Sequence, residues 1–178
     1  MKISICLCIR DCEDYLMYID ELFNRIEKLY DTYEFEYFLY ENNSTDNTKD
    51  LVKYFLKNRN GKYLIEDLPN NTMKSGINLE RGEHMANIRN KLKNLHGKLT
   101  SDFVLLLDAD VVFLPDTLNE FINTLSNDIV MVTPFGMCYD SYSGYRNTIH
   151  YYDSFAIISK DNITYKENGN RCLFKSCS

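Results

Sequence analysis

Asp102-Phe103-Val104-Leu105-Leu106-Leu107-Asp108-Ala109-Asp110-Val111-Val112-Phe113 is the stretch around which the rest of the chain is organised. Its apolar run is rich in Val and Leu and too short for a stable isolated helix, so it reads as a buried strand. Two carboxylates one residue apart end the run. On an extended chain such residues point the same way, so Asp108 and Asp110 are expected to converge on one cation or ligand. Desolvating two carboxylates is costly unless positive charge sits beside them. The stretch therefore predicts a divalent-metal site at the carboxyl end of a central strand.

Outward from it, strands and helices alternate. Ile3–Ile9 reads as a first strand with Arg10 and Asp11 at its exit, and Glu13–Tyr30 carries Leu16, Ile19, Leu22, Phe23, Ile26 and Leu29 at helical spacing. Phe35–Tyr40 is an aromatic-rich strand opening into the polar turn Glu41–Thr48, and a helix follows from about Thr48 to Asn58. Lys62–Glu66 is a short strand and Asp67–Gly82 a loop. A helix from Glu83 to His96 precedes the central strand, and another begins at Pro115-Asp116. Ile129–Val132 reads as a strand, Thr133–His150 as a Tyr-, Ser- and Gly-rich loop, and Tyr151–Ser159 as a last strand. This alternation predicts an α/β layered fold with a central, mainly parallel sheet flanked by helices, in one domain spanning residues 1–178. Ligands of such sheets bind beyond the carboxyl ends of the strands, where Arg10, Glu41–Asp46 and Asp108/Asp110 all fall.

Composition narrows the function classes. With 178 residues, 44% of them hydrophobic, the chain can bury one sizeable core. A net charge of −6 and a pI near 5.1 argue against a general nucleic-acid binder, which needs a basic face. No secretory leader or membrane span is read at the N-terminus, where charges at Arg10, Asp11, Glu13 and Asp14 interrupt the apolar run. A cytoplasmic location with reduced, mostly structural cysteines is expected. Cys6, Cys8 and Cys12 lack the paired knuckles of a zinc site.

Taken together, the Ser44-Thr45-Asp46-Asn47-Thr48 turn, the Met85-Ala86-Asn87-Ile88-Arg89-Asn90 helix and the Leu-Leu-Asp108-Ala109-Asp110 strand end resemble the GT-A nucleotide-sugar glycosyltransferases. The likeness runs from Ile3 to about Ala156 and is closest to family-2-like transferases and capsule-type mannosyltransferases. It implies a Rossmann-like GT-A fold and a Mn²⁺ or Mg²⁺ ion held by Asp108 and Asp110, with Asp110 the more direct ligand. The cation would bridge the diphosphate of a nucleoside-diphosphate sugar, since hard cations choose carboxylate oxygens. The donor-contacting set it implies is Ile9, Arg10, Glu41, Asn43, Asp46, Arg89, Asp108 and Ala109. Glu41-Asn42-Asn43 stands where many relatives carry two aspartates, which leaves the nucleotide open.

On the acceptor side, Asp153 resembles the residue lining the acceptor pocket, with Asp140 as runner-up, and one of them would take the acceptor hydroxyl's proton. His150 resembles a late histidine that completes the metal shell in some relatives. Tyr139, Tyr142, Tyr145, Tyr151 and Tyr152 suit stacking on a sugar face or ordinary packing. Arg81 is a second candidate for the phosphates, and His84 is expected on the helix surface. The acceptor, whether glycan, protein or lipid, is not readable. The rival readings are a sugar-phosphate nucleotidyltransferase, for which the first strand lacks a Gly-rich phosphate loop, and a catalytically silent sugar-nucleotide-binding module.

Overall fold

A computed structural model describes residues 1–69, 79–98, 100–125, 137–140 and 148–151, with the backbone alone described for 79–81, 137–140 and 148–151. The chain falls into two compact units, Met1–Asn123 and Thr124–Ser178.

The first unit is built on four parallel strands: β1 (Lys2–Ile9), β2 (Glu34–Asn42), β3 (Gly61–Glu66) and β4 (Phe103–Asp108), in the order β3-β2-β1-β4. Between them run α1 (Glu13–Leu29), α2 (Thr48–Phe55) and α3 (Leu79–His96), and α4 (Thr117–Thr124) follows β4. The expected parallel α/β architecture is thus observed. β1 pairs with β2 on one side, Ile9 opposite Glu41, and with β4 on the other, Cys8 opposite Asp108. After β1 the chain steps outward to β2, and it later returns to add β4 at the opposite edge. The crevice at the carboxyl ends of β1 and β4 is therefore the topological switch point of the sheet.

Alternation along the strands sorts two cores. Ile3, Ile5, Leu7 and Ile9 of β1 and Tyr37 and Leu39 of β2 pack with Leu16, Ile19, Phe23 and Ile26 of α1 and Val52 and Phe55 of α2. Cys6 of β1 and Phe38 and Tyr40 of β2 pack on the opposite face against Ile88 and Leu92 of α3. Five buried side chains of α1 contribute on the order of 10 kcal/mol gross at ~1.5–3 kcal/mol each, several times what a helix cap adds, so packing fixes this helix. Leu29, expected on the same stripe, is half-exposed. α3 stops at Gly97, whose φ of +74° is the left-handed conformation glycine adopts without strain, and whose N–H donates to the Lys93 carbonyl at 3.0 Å.

Several boundaries differ from expectation. β2 runs two residues past Tyr40, so Glu41 and Asn42 belong to the strand, and α3 begins at Leu79, within the expected loop. β4 ends at Asp108 rather than Phe113, because the Val111 N–H bonds the Asp108 carbonyl at 3.1 Å and closes a turn. The expected loop Thr133–His150 contains two strands of the second unit, β5 (Met137–Asp140) and β6 (Thr148–Tyr151). They form an antiparallel hairpin with Asp140 opposite Thr148 and Cys138 opposite His150. The expected strand Ile129–Val132 and all of Tyr151–Ser159 beyond Tyr151 lie outside the described residues.

Candidate functional site

The carboxyl ends of β1, β2 and β4 carry most of the polar residues singled out by the sequence. Cys8, Asn42 and Asp108 fall on the α3 face by the two-residue alternation, and Arg89 reaches down from α3 to place Nη2 3.8 Å from Asp108 Oδ2. Both side chains of that pair are half-exposed, so it is a weak ion pair whose members can exchange one another for a ligand. Burial pushes the Asp108 carboxyl above its ordinary range, Arg89 opposes the rise and Asp110 adds to it. Asp110 stands exposed in the turn beyond the strand, and buried Ala109 is pinned by its N–H to the Cys8 carbonyl at 3.3 Å. Asp108 and Asp110 are therefore set by a turn, not by strand alternation.

Asn42 belongs to the expected polar turn, yet its amide is oriented. The Leu68 N–H can only donate and the Leu68 carbonyl can only accept, which fixes Asn43 with Oδ1 on that N–H at 3.1 Å and Nδ2 on that carbonyl at 3.0 Å. Asn42, itself buried, in turn donates from Nδ2 to Asn43 Oδ1 at 3.0 Å, which leaves its Oδ1 as the acceptor of that amide. The signal that finds Asn42 is the line Phe38–Tyr40–Asn42 on one strand face. Nearby, Lys91 of α3 bonds Glu66 at the end of β3, and the Tyr40 hydroxyl donates to the same carboxylate at 2.6 Å. Together they clamp α3 over the sheet. The Cys8 thiol is pushed up to about 11 by burial, with Asp108 adding to the rise and Arg89 opposing it, which suits a packed thiol.

Glu41 lies on the other sheet face, under α1 and α2. It is fully buried, takes the Ser44 N–H on Oε1 at 2.8 Å, and its Oε2 has no hydrogen-bond partner among the described residues. Ile9 is buried beside it, while Arg10 lies 3.4 Å from Asp11 through Nε. Asp46 has both carboxylate oxygens on main-chain N–H groups: Oδ2 on Glu13 at 3.1 Å and Oδ1 on Thr48 at 3.0 Å. Burial alone would raise its pKa, but bonds from the Thr48 hydroxyl and amide and from the Glu13 amide outweigh it and hold the group below the usual carboxylate range.

His84, expected on the surface, is half-buried on α3 with its Nε2 shielded from solvent and unpartnered among the described residues. The side chains of Arg81, Asp140 and His150, and the whole of Asp153, lie outside what is described.

The family model for glycosyl transferase family 2 matches residues 4–177. The chain belongs to glycosyl transferase family 2. Among solved structures, residues 1–349 of S. aureus TarS match with 23% identity and a TM-score of 0.45, covering 69% of this chain and 32% of that one. The same TarS segment in complex with UDP-GlcNAc matches with 26% identity and a TM-score of 0.40, covering 69% and 31%. The chain thus spans about a third of the TarS segment it resembles. No curated protein matches the sequence at a significant level. Among the described residues no helix is long and apolar enough to cross a membrane.

The donor set can be tested for a divalent cation from its own chemistry. Among the described residues no group of three His, Cys, Asp or Glu side chains gathers around one point. Asp108 and Asp110 offer two hard oxygen ligands, which fits a Mg²⁺- or Mn²⁺-type ion that takes one or two carboxylates and fills its shell from substrate phosphates and water. Such an ion would enter with the nucleotide.

Proposed function

We propose that this family-2 chain holds a nucleoside-diphosphate sugar at the carboxyl ends of β1, β2 and β4 and transfers the sugar to an acceptor hydroxyl. The observation that carries the reading is the Arg89–Asp108 pair at the sheet's switch point, in a chain matched to this family over residues 4–177. Arg89 is assigned the diphosphate, which a guanidinium can grip through two parallel N–H donors. Asp110, then Asp108, are assigned to a Mn²⁺ or Mg²⁺ ion. When bound, the ion neutralises charge on the departing diphosphate. Arg10 and Asn43 are assigned the nucleoside side, and Ile9, Glu41 and Ala109, which are buried, are assigned its support from within.

Asn42 Oδ1 is a neutral acceptor suited to a base with a ring N–H, such as uracil. UDP-GlcNAc, the ligand of the TarS complex, is thus the first donor to try. On the acceptor side, Asp153, or Asp140, is assigned the hydroxyl proton. The hydroxyl oxygen forms the new bond to the anomeric carbon as the sugar–phosphate bond breaks and the diphosphate leaves with the electron pair.

A thermal-shift series with UDP-, GDP- and ADP-sugars, with and without Mn²⁺, tests the reading. At a hundredfold excess over Kd a bound donor raises Tm on the order of 5 °C, and more with Mn²⁺ than without. Pyrophosphate release from a nucleoside triphosphate plus a sugar phosphate would favour the nucleotidyltransferase rival. No shift with any donor would overturn the donor site itself.

A further inference from the structure

The two turns that leave β1 and β2 are stitched together by a ladder of side chain to main chain bonds. Asp11 N–H donates to Ser44 Oγ at 2.9 Å, Thr45 N–H to Asp11 Oδ1 at 2.8 Å, and Cys12 N–H to Thr48 Oγ1 at 2.8 Å. Both turns contain a non-glycine residue in the left-handed region, Asp11 at φ +46° and Asn43 at φ +57°. Asp and Asn are the non-glycine residues that adopt this conformation most readily, and here the bonds across the two turns hold it.

The residues directly before the two helices, Cys12 before α1 and Asn47 before α2, make no side-chain cap bond. An acid from across the gap serves the N-terminus of each helix, and Asp46 also caps its own helix locally. Asp46, just before α2, takes the Glu13 N–H of α1 on Oδ2 while holding Thr48 N–H on Oδ1. Glu13, the first residue of α1, takes the Asn47 N–H on Oε2 at 3.1 Å and the Asn47 amide Nδ2 on Oε1 at 2.6 Å. The arrangement is reciprocal, and negative charge beside two helix N-termini is electrostatically favourable.

We propose that Asp46 and Glu13 are positioning residues of the donor site: by capping each other's helices they lock the β1 and β2 exit turns into one preformed lip on the nucleoside side, and neither touches the donor. The inference rests on the donor reading above. It gives the Asp of the Ser44-Thr45-Asp46 turn a role through main-chain geometry, because both of its oxygens are already engaged by N–H groups. An isosteric amide keeps one acceptor oxygen and sets an N–H against the other main-chain N–H, so it breaks the cross-cap without opening a cavity.

Isothermal titration of UDP with Mn²⁺ into wild type, Asp46→Asn, Glu13→Gln and the double variant, alongside thermal unfolding of each, tests it. Each single variant is expected to bind UDP about tenfold more weakly, the loss of roughly one charge-assisted bond's effect passed to the turns, with the double variant no weaker than the weaker single. If Asp46→Asn loses affinity while Glu13→Gln binds like wild type, Asp46 touches the nucleotide and the proposal is overturned. Lowered Tm with unchanged Kd in both makes the bonds helix caps only and also overturns it, as does an additive double variant. Should Asp46→Asn fail to fold, Glu13→Gln and Asn47→Ala carry the same comparison, and wild-type affinity in both decides against it. A wild-type chain that binds none of UDP, GDP and ADP sinks the donor reading and the lip's role with it, a result distinct from the variant pattern.

Discussion

Asp108 is the residue where stability and function pull apart. Burial raises its carboxyl, Arg89 at 3.8 Å opposes the rise only in part and Asp110 adds to it, so the ionised form is disfavoured relative to an unfolded chain. A folded-state pKa above the unfolded one means the ionised group weakens folding, and the penalty appears as pH rises through the unfolded value near 4. Asp108→Asn should then unfold at a slightly higher temperature at neutral pH, by less than about 1 kcal/mol given its half-exposure, while losing nucleotide binding. Paired calorimetric melts and UDP titrations check both signs. Unchanged or lower stability would remove the strain assigned to this carboxylate.

Glu66 behaves in the opposite way. Bonds from Lys91 first and Tyr40 second hold its carboxyl below the usual range. The stabilisation is complete above the unfolded value near 4.5 and is lost as pH falls through the lower folded value. Urea midpoints should therefore drop from about pH 4.5 downward, and Glu66→Gln should flatten that slope while lowering the midpoint at pH 7. A slope unaltered by the substitution would show that acid sensitivity arises elsewhere.

Among the elements, β1 and α1 were legible to within a residue or two because each carries one clean period: alternation in Ile3–Ile9 and a helical stripe from Leu16 to Ile26. Legibility failed where polar residues continue a strand. Glu41 and Asn42 have turn chemistry, yet pairing of Glu41 with Ile9 and Ile65 and of Asn42 with Glu66 carries β2 two residues on. The reverse error fell on β4, whose apolar Val111 and Val112 suggested more strand while a turn already began at Asp108. The hairpin β5–β6 was missed because Met137–Asp140 shows no alternation of apolar and polar residues.

The α1–α2 contact also rests on something no local period shows. Arg59 is almost fully buried: Nε bonds Glu27 at 2.8 Å, Nη2 bonds Asn24 at 2.7 Å and Nη1 bonds Asp20, with the guanidinium 4.2 Å from the Phe55 ring centroid. Asp20, Asn24 and Glu27 sit one turn apart along one stripe of α1. Arg59→Ala strips the partner from two acids at once and should lower stability by about 3 kcal/mol in denaturant unfolding. Arg59→Lys should recover only part, since an ammonium cannot span all three. A loss under 0.5 kcal/mol for Arg59→Ala would mean that the acids are simply solvated.

At the scale of the whole molecule, the parallel order β3-β2-β1-β4 follows from alternating strand and helix patterns, and the ligand crevice follows from that order. Hence the neighbourhood of Asp108, Arg89 and the β2 exit was readable from sequence. The sheet face each side chain takes was less so. Whether residue 41 or residue 42 meets α3 depends on where β2 ends, and a one-residue shift exchanges the two faces. The roles assigned to Asp140, His150 and Asp153 came from resemblance alone, because no strand-end argument reaches them.

The proposed function brings a nucleoside diphosphate and a divalent cation together on Arg89, Asp108 and Asp110. Calorimetric titration of UDP into the chain, with and without Mn²⁺, for wild type, Asp110→Ala and Arg89→Ala, tests it most directly. Mn²⁺-enhanced binding is expected of wild type, loss of the Mn²⁺ enhancement in Asp110→Ala, and binding at least about tenfold weaker in Arg89→Ala. Equal, Mn²⁺-independent binding by all three proteins would contradict it.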